Sequence, residues 1–194
     1  HRDLHLSLRR QRQMCIRDRT RTGLIDVLQE MGADIVITKH SESVAEPFVD
    51  LVVSSRQLRG IDVSPSLVPR LIDEFPILAI AAASAEGITR ISGAKELRFK
   101  ESDRITSVVT ALRSLGVSAE ETDDGMIIEG GDISGGTVDS YGDHRVAMAF
   151  AIAGTRARDP VRILNCANIA TSFPAFGECS RGIGISLSEA GISF

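Results

Sequence analysis

The sequence predicts an α/β (α+β) chain, built from repeated small α/β units with mixed sheets arranged around buried helices. Three observations predict it. A helix–glycine–strand pattern recurs three times, closed at Gly32, Gly116 and Gly184. An apolar, Ala-rich helix followed by a short strand occurs twice, once behind Asp73 and once behind Asp143. The step from Asp73 to Asp143 nearly equals the step from Gly116 to Gly184, so both patterns advance together. A common period in two different patterns marks an internal repeat.

In chain order, residues 1–19 come first and are set aside as a leader. His1 to His5 and Arg9 to Asp18 match, in one frame, the translation of two blocks of a transposase-type sequencing adapter. Leu6-Ser7-Leu8 falls where a variable index would sit. Its six arginines also permit a basic nucleic-acid arm or a mitochondrial presequence, but neither explains two adapter blocks in one frame. Residues 1–19 are therefore expected to be non-native, and residues 20–194 one domain whose first repeat is incomplete.

Residues 24–31 read as an amphipathic helix ended by Gly32, and residues 33–37 as a strand. Such a glycine supplies the left-handed backbone that closes a helix. Ile72-Asp73-Glu74-Phe75-Pro76 opens an apolar helix to Ala85, followed by a strand at 88–91. Residues 105–115 form the next amphipathic helix, closed by Gly116 and followed by a strand at 117–121. Asp123-Asp124-Gly125 is a hairpin turn leading to a strand at 126–129. The glycine-rich stretch 130–136 lacks the strand–GxGxxG–helix context of a dinucleotide site and reads as a linker turn. Tyr141-Gly142-Asp143-His144-Arg145 opens a second apolar helix, to Ala153, then a strand at 161–164. Residues 176–183 form the last helix, before Gly184 and a strand at 185–187. The Ala-rich helices have no polar face and belong at the centre; the helices at 24, 105 and 176 should cover the outside.

The formal charge is −4, from 22 basic and 26 acidic residues. The leader holds six of the former and two of the latter, so residues 20–194 are distinctly acidic. An acidic domain does not offer a general nucleic-acid surface, so its cations serve local sites. About 175 residues suffice for one proper core. Outside the leader only Cys166 and Cys179 remain, without framework spacing, which points to a reducing cytoplasm. No apolar run approaches the roughly 20 residues of a membrane span. Only His40 and His144 are left as imidazoles, and no Cys/His spacing supports a metal; no cofactor is expected.

Lys100-Glu101-Ser102-Asp103-Arg104 carries the chemistry. It precedes a helix, whose first turn has unpaired N–H groups and partial positive charge. Ser102 or Asp103 can cap it. Lys100 and Arg104 add two cations, making an anion site with a carboxylate, Glu101, inside it. The same residues also suit a solvated, well-capped helix start. Asp143-His144-Arg145 opens a central helix in a comparable way. His144 suits either a general acid–base role or a structural hydrogen bond, and Asp73 suits an N-cap.

Glu96 to Ile105, Gly142 to Ala149, and Ala170-Thr171-Ser172-Phe173-Pro174 together resemble the EPSP synthase (3-phosphoshikimate 1-carboxyvinyltransferase) family. Ile72 to Ala79 and Arg21-Thr22-Gly23 match as well, in order along residues 20–194. The resemblance implies an enolpyruvyl transferase-like fold of two domains, each with three copies of a small α/β unit, this chain being most of the C-terminal one. It implies transfer of the enolpyruvyl group of phosphoenolpyruvate to the 5-hydroxyl of shikimate 3-phosphate, giving 5-enolpyruvylshikimate 3-phosphate and phosphate on the route to chorismate and aromatic amino acids. It further implies that Asp73 holds and deprotonates the attacking hydroxyl and that Glu101 moves the methyl proton. Lys100 then contacts the hydroxyl and ether oxygen, and Arg104 and Arg145 grip the phosphoenolpyruvate carboxylate. No metal or cofactor is implied, and the full-length enzyme is expected to be a cytoplasmic monomer.

Two departures concern anion contacts. Thr171 occupies the region where many relatives carry a phosphate-binding lysine, and Glu96 stands where some have Asn. With the N-terminal contacts absent, the chain alone is expected to be inactive. The competing readings are an enolpyruvyl transferase acting on UDP-N-acetylglucosamine and a non-catalytic binding module of the same architecture.

Overall fold

The structure, a computed structural model, describes residues 9–13, 22–40 and 48–188. Arg21 and most of the leader lie outside the described residues. The chain begins with β1 (Arg9–Gln13), α1 (Gly23–Glu30), β2 (Asp34–His40) and β3 (Phe48–Ser54). A second unit follows: β4 (Asp62–Val63), α2 (Phe75–Ala83), β5 (Ile88–Ile91), α3 (Arg104–Ser114), β6 (Ser118–Thr122) and β7 (Gly125–Glu129). The third comprises β8 (Gly136–Asp139), α4 (His144–Ala153), β9 (Val161–Leu164), α5 (Ile169–Ser172) and α6 (Phe176–Gly182).

The sheets restate the repeat. β4 pairs parallel with β5, and β8 pairs parallel with β9, each pair separated by a central helix. β5 then runs antiparallel to β7, and β7 to β6, in the order β4-β5-β7-β6. In the first unit β1 and β2 both run antiparallel to β3. β1 therefore stands beside β3 as β5 stands beside β7. Its contacts are ladder hydrogen bonds, which any extended backbone supplies.

α2 and α4 form the centre, as their composition predicts. Phe75, Leu78, Ala79 and Ala82 of α2 are fully buried, as are Val146, Ala147, Phe150 and Ala153 of α4. The two helices pack along each other; their alanines permit close approach and their phenylalanines fill the remaining space. α3 turns Ile105, Val108 and Leu112 inward, and the β6–β7 hairpin adds Ala119, Met126 and Ile128. The closing glycines all take left-handed backbone, with φ of +93° at Gly32, +80° at Gly116 and +85° at Gly184. At Gly116 a Cβ would also crowd Ser134 Oγ at 3.1 Å.

The structure corrects the sequence reading in four places. The unit starts with a strand, β4 or β8, that the local pattern does not announce: β4 has two residues, and β8 begins at the last glycine of the supposed linker. β3 is likewise absent from the sequence reading. Residues 185–187 form no strand, since a strand needs a neighbour's backbone and none pairs with them among the described residues. α6 covers no core; Ser180 is its one buried residue, because FGECSRG offers no apolar stripe.

Removing a ring at the α2–α4 contact leaves a cavity that neighbouring helices cannot close. Phe150→Ala is expected to lower stability by about 3–5 kcal/mol, read as a lower midpoint in urea unfolding of the chain.

Candidate functional site

The two basic–acidic clusters meet at one end of the central helices. Asp103 is the N-cap of α3: its Oδ1 accepts the Thr106 amide at 3.0 Å. Ser102 instead donates its hydroxyl to Asp143 Oδ2 at 3.3 Å. Asp143 caps α4, with Oδ1 accepting the amides of Arg145 at 2.9 Å and Val146 at 3.3 Å. Its Oδ2 accepts Arg104 Nε at 2.8 Å. Asp73 is not a cap. Glu74 occupies that position without a side-chain capping bond, and Pro76, in the first turn, has no N–H to offer.

Arg104 is the hub. It is 1 % exposed, and each of its nitrogens meets a different carboxylate. Nε donates to Asp143, Nη1 to Asp73 Oδ1 at 3.3 Å, and Nη2 to Glu101 Oε2 at 2.5 Å. Asp73 also has Lys100 Nζ at 3.9 Å and Arg145 Nη2 at 3.6 Å. Arg145 Nη1 donates to the Asp73 carbonyl at 3.3 Å and lies 3.7 Å from Glu74. Lys100 Nζ donates to Glu96 Oε1 at 2.6 Å. All five expected site residues, Asp73, Lys100, Glu101, Arg104 and Arg145, are thus brought together.

Burial alone would push the Asp73 carboxyl up, but the charges of Arg145, Lys100 and Arg104 together hold it below the usual carboxylate range. Asp143 behaves likewise: burial opposes its charge, while Arg104 and the α4 amides more than offset that and lower its pKa. Both groups are therefore carboxylates at neutral pH, able to accept hydrogen bonds. Glu101 differs in access, since its side chain is 48 % exposed.

Sequence reasoning missed the Arg104–Asp143 bond, the Ser102–Asp143 bond and the Lys100–Glu96 pair. The available signal was the repeat: Asp73 and Asp143 each stand at the start of an apolar helix in successive units, and both face Arg104. His144 opens α4, and its ring has no hydrogen-bond partner among the described residues. Thr171, on α5, donates to the Asn168 carbonyl at 2.9 Å and makes no hydrogen bond to the cluster. Among the described residues no group of three or more His, Cys, Asp or Glu could hold a metal ion, and no helix is long and apolar enough to cross a membrane.

Residues 14–179 match the family described as EPSP synthase (3-phosphoshikimate 1-carboxyvinyltransferase). The 3-phosphoshikimate 1-carboxyvinyltransferase of Legionella pneumophila (strain Paris) is 59 % identical over 157 residues, covering 81 % of this chain and 36 % of the relative. That of Coxiella burnetii (strain RSA 493 / Nine Mile phase I) is 52 % identical over 168 residues, 87 % of this chain and 38 % of its own. The chain thus spans less than two-fifths of the length of these relatives. Among solved structures, EPSP synthase from Acinetobacter baumannii superposes with a TM-score of 0.86 at 42 % identity, covering 91 % of this chain and 42 % of that one. The enolpyruvyl transferase NikO from Streptomyces tendae shares the fold, with a TM-score of 0.64 at 21 % identity over 86 % of this chain and 36 % of that one.

Asp73, Asp103 and Asp143 all have lowered pKa values. Their stabilisation is therefore complete above the unfolded carboxyl value of about 3.9 and is lost as the pH falls through the lower folded values. Asp143→Asn leaves a buried cation short of one partner, so at pH 7 it should cost about 3 kcal/mol. Urea unfolding should show that difference shrinking as the pH is taken below about 4.

Proposed function

The chain belongs to the EPSP synthase family, and from that premise we propose that it supplies part of the site that moves the enolpyruvyl group of phosphoenolpyruvate to the 5-hydroxyl of shikimate 3-phosphate, releasing phosphate. The observation that carries this reading is the ring of Asp73, Glu101 and Asp143 around Arg104, flanked by Lys100 and Arg145.

The transfer needs a proton at the methylene carbon, an activated hydroxyl, and stabilisation of the anionic groups. Asp73, held as a carboxylate, accepts the 5-hydroxyl proton. Lys100, within 3.9 Å of Asp73, steadies the same oxygen as its bond to the enolpyruvyl carbon forms. Glu101 gives its proton to the methylene carbon, making a methyl group. When the tetrahedral intermediate collapses, Glu101 takes a methyl proton back, the C–O bond to phosphate breaks, the double bond returns, and the departing phosphate takes up the proton that Asp73 accepted. Arg145 and Arg104 hold the carboxylate, a task that suits the planar guanidinium fork.

The geometry adds one condition to these roles. Glu101 already occupies Arg104 Nη2, where a substrate carboxylate would bind. Of the three acids it is the exposed one, whereas Asp143 is fully buried. Glu101 is therefore the partner that leaves, and once away from Arg104 it can take up from solvent the proton it delivers to the methylene carbon. The assembled enzyme is read as a cytoplasmic monomer of two such domains, with no metal or organic cofactor and with residues 1–19 foreign to it.

A chimera tests the reading. The matched segment of the Legionella relative is replaced by that of this chain, and phosphate release is measured with phosphoenolpyruvate and shikimate 3-phosphate. The chimera should turn over and the present chain alone should not. Turnover only with UDP-N-acetylglucosamine as acceptor would sink the substrate assignment. Glu101→Gln in the chimera should lower kcat by about 10²–10⁴-fold, the range for a positioned acid–base group; an unchanged rate would remove Glu101 from the chemistry.

A further inference from the structure

Arg98 has no place in the roles above, yet it is tied down as firmly as any cation near the site. It lies in a short 3-10 helix, Lys95–Phe99. Its Nη1 donates to Asp103 Oδ2 at 2.9 Å and to Thr106 Oγ1 at 3.4 Å. Nε donates to the Asp123 carbonyl at 3.0 Å and Nη2 to the Thr122 carbonyl at 2.6 Å. One guanidinium thus joins the α3 cap to the turn of the β6–β7 hairpin. The same turn also holds the start of this segment: Asp124 accepts the Gly93 amide with Oδ2 and the Ala94 amide with its carbonyl, both at 2.7 Å.

Between Arg98 and Asp103 lie Lys100 and Glu101. The side chains of Lys100, Glu101 and Ser102 bond to Glu96, Arg104 and Asp143 respectively, but the backbone here has little else to fix it. No backbone–backbone hydrogen bond holds residues 100–102 among the described residues. Phe99 is 77 % exposed and Glu101 half-exposed, so no apolar contact anchors the loop between its ends. On one side Leu97 is buried; on the other Asp103 caps α3. The Arg98–Asp103 bond closes the loop, and the hairpin sets where it closes.

We propose that Arg98 is a positioning residue for the chemistry above, its guanidinium clamping the loop that presents Lys100 and Glu101 to the β6–β7 turn. The inference rests on the proposed roles of those two residues. Arginine is required because its planar fork reaches a carboxylate and two carbonyls at once, while an ammonium is a point donor. Arg98→Lys keeps the charge and loses the clamp. A displacement of about 1 Å in a reacting group can cost on the order of 10² in rate.

Two measurements test it. In the present chain, backbone order parameters of Lys100, Glu101 and Ser102 should be near about 0.85 and fall below about 0.6 in Arg98→Ala and Arg98→Lys, with α3 and the hairpin unchanged. A loop that stays rigid in both variants overturns the proposal. In the Legionella chimera, assayed well below each unfolding midpoint, both variants should lose about 10²-fold in kcat with KM for phosphoenolpyruvate held within about threefold. Added methylguanidinium should restore part of the Ala variant's rate. A kcat retained by both variants overturns the positioning role. If the unsubstituted chimera is itself inactive, the reading of function fails, and the order parameters alone decide whether Arg98 clamps the loop.

Discussion

Everything at this end of the molecule depends on one buried guanidinium. Arg104 opens α3, and it faces Asp143, which caps α4, and Asp73, which leads into α2. Three helix starts are thereby registered by a single side chain. The geometry needs no further device to bring the two distant charge clusters together. Desolvating a guanidinium is costly, and the cost is offset only if each nitrogen finds an acceptor. Here each does. The two aspartates stand at the starts of the central helices of successive units, one residue out of step, since Asp143 caps α4 and Glu74 holds that place in α2.

Such a cluster is a weak stabiliser. Buried ion networks are often matched or exceeded by apolar side chains of similar volume, and the surrounding core of Leu97, Ile105 and Val146 has the composition to supply them. The cations instead keep Asp73 charged while it is mostly buried, and the one accessible acid, Glu101, stands against the most buried base. Under the proposed function, a site laid out in this way exchanges partners when an anion arrives. A core made only for rigidity has no need of that.

The repeat was legible because glycine at a helix end and an apolar helix without a polar face are local signals. They gave α1, α2, α3 and α4 nearly to their true ends, and Gly32, Gly116 and Gly184 at left-handed backbone. β4 and β8 escaped because strand identity there comes from pairing with β5 and β9, each on the far side of a central helix, and not from local pattern. Motif order singled out Asp73, Lys100, Glu101, Arg104 and Arg145, which lie together in the structure, but it did not give their partners. Asp73 looked like a cap because aspartate before a helix usually is one; the helix instead starts one residue later, with Glu74 at the cap, and Pro76 removes one of the amides Asp73 would have met. Arg98 went unnoticed because its partners include two backbone carbonyls on a hairpin turn, which carry no sequence signature.

The charge balance of the cluster bears on what this chain can do by itself. Lys100, Arg104 and Arg145 are each already engaged by acids: Asp73, Glu101 and Asp143, with Glu96 and Glu74 at the margin. Three cations against five carboxylates leave no positive surplus, and residues 20–194 are acidic as a whole. Under the proposed function, two phosphorylated substrates would bring several further negative charges into the same space. Releasing Glu101 from Arg104 moves charge without removing it. On that reading, the positive potential that attracts and holds such substrates would come from groups outside this cluster. That agrees with a chain spanning less than two-fifths of its relatives' length: under the proposed function, this cluster orders proton transfer more than it captures substrate.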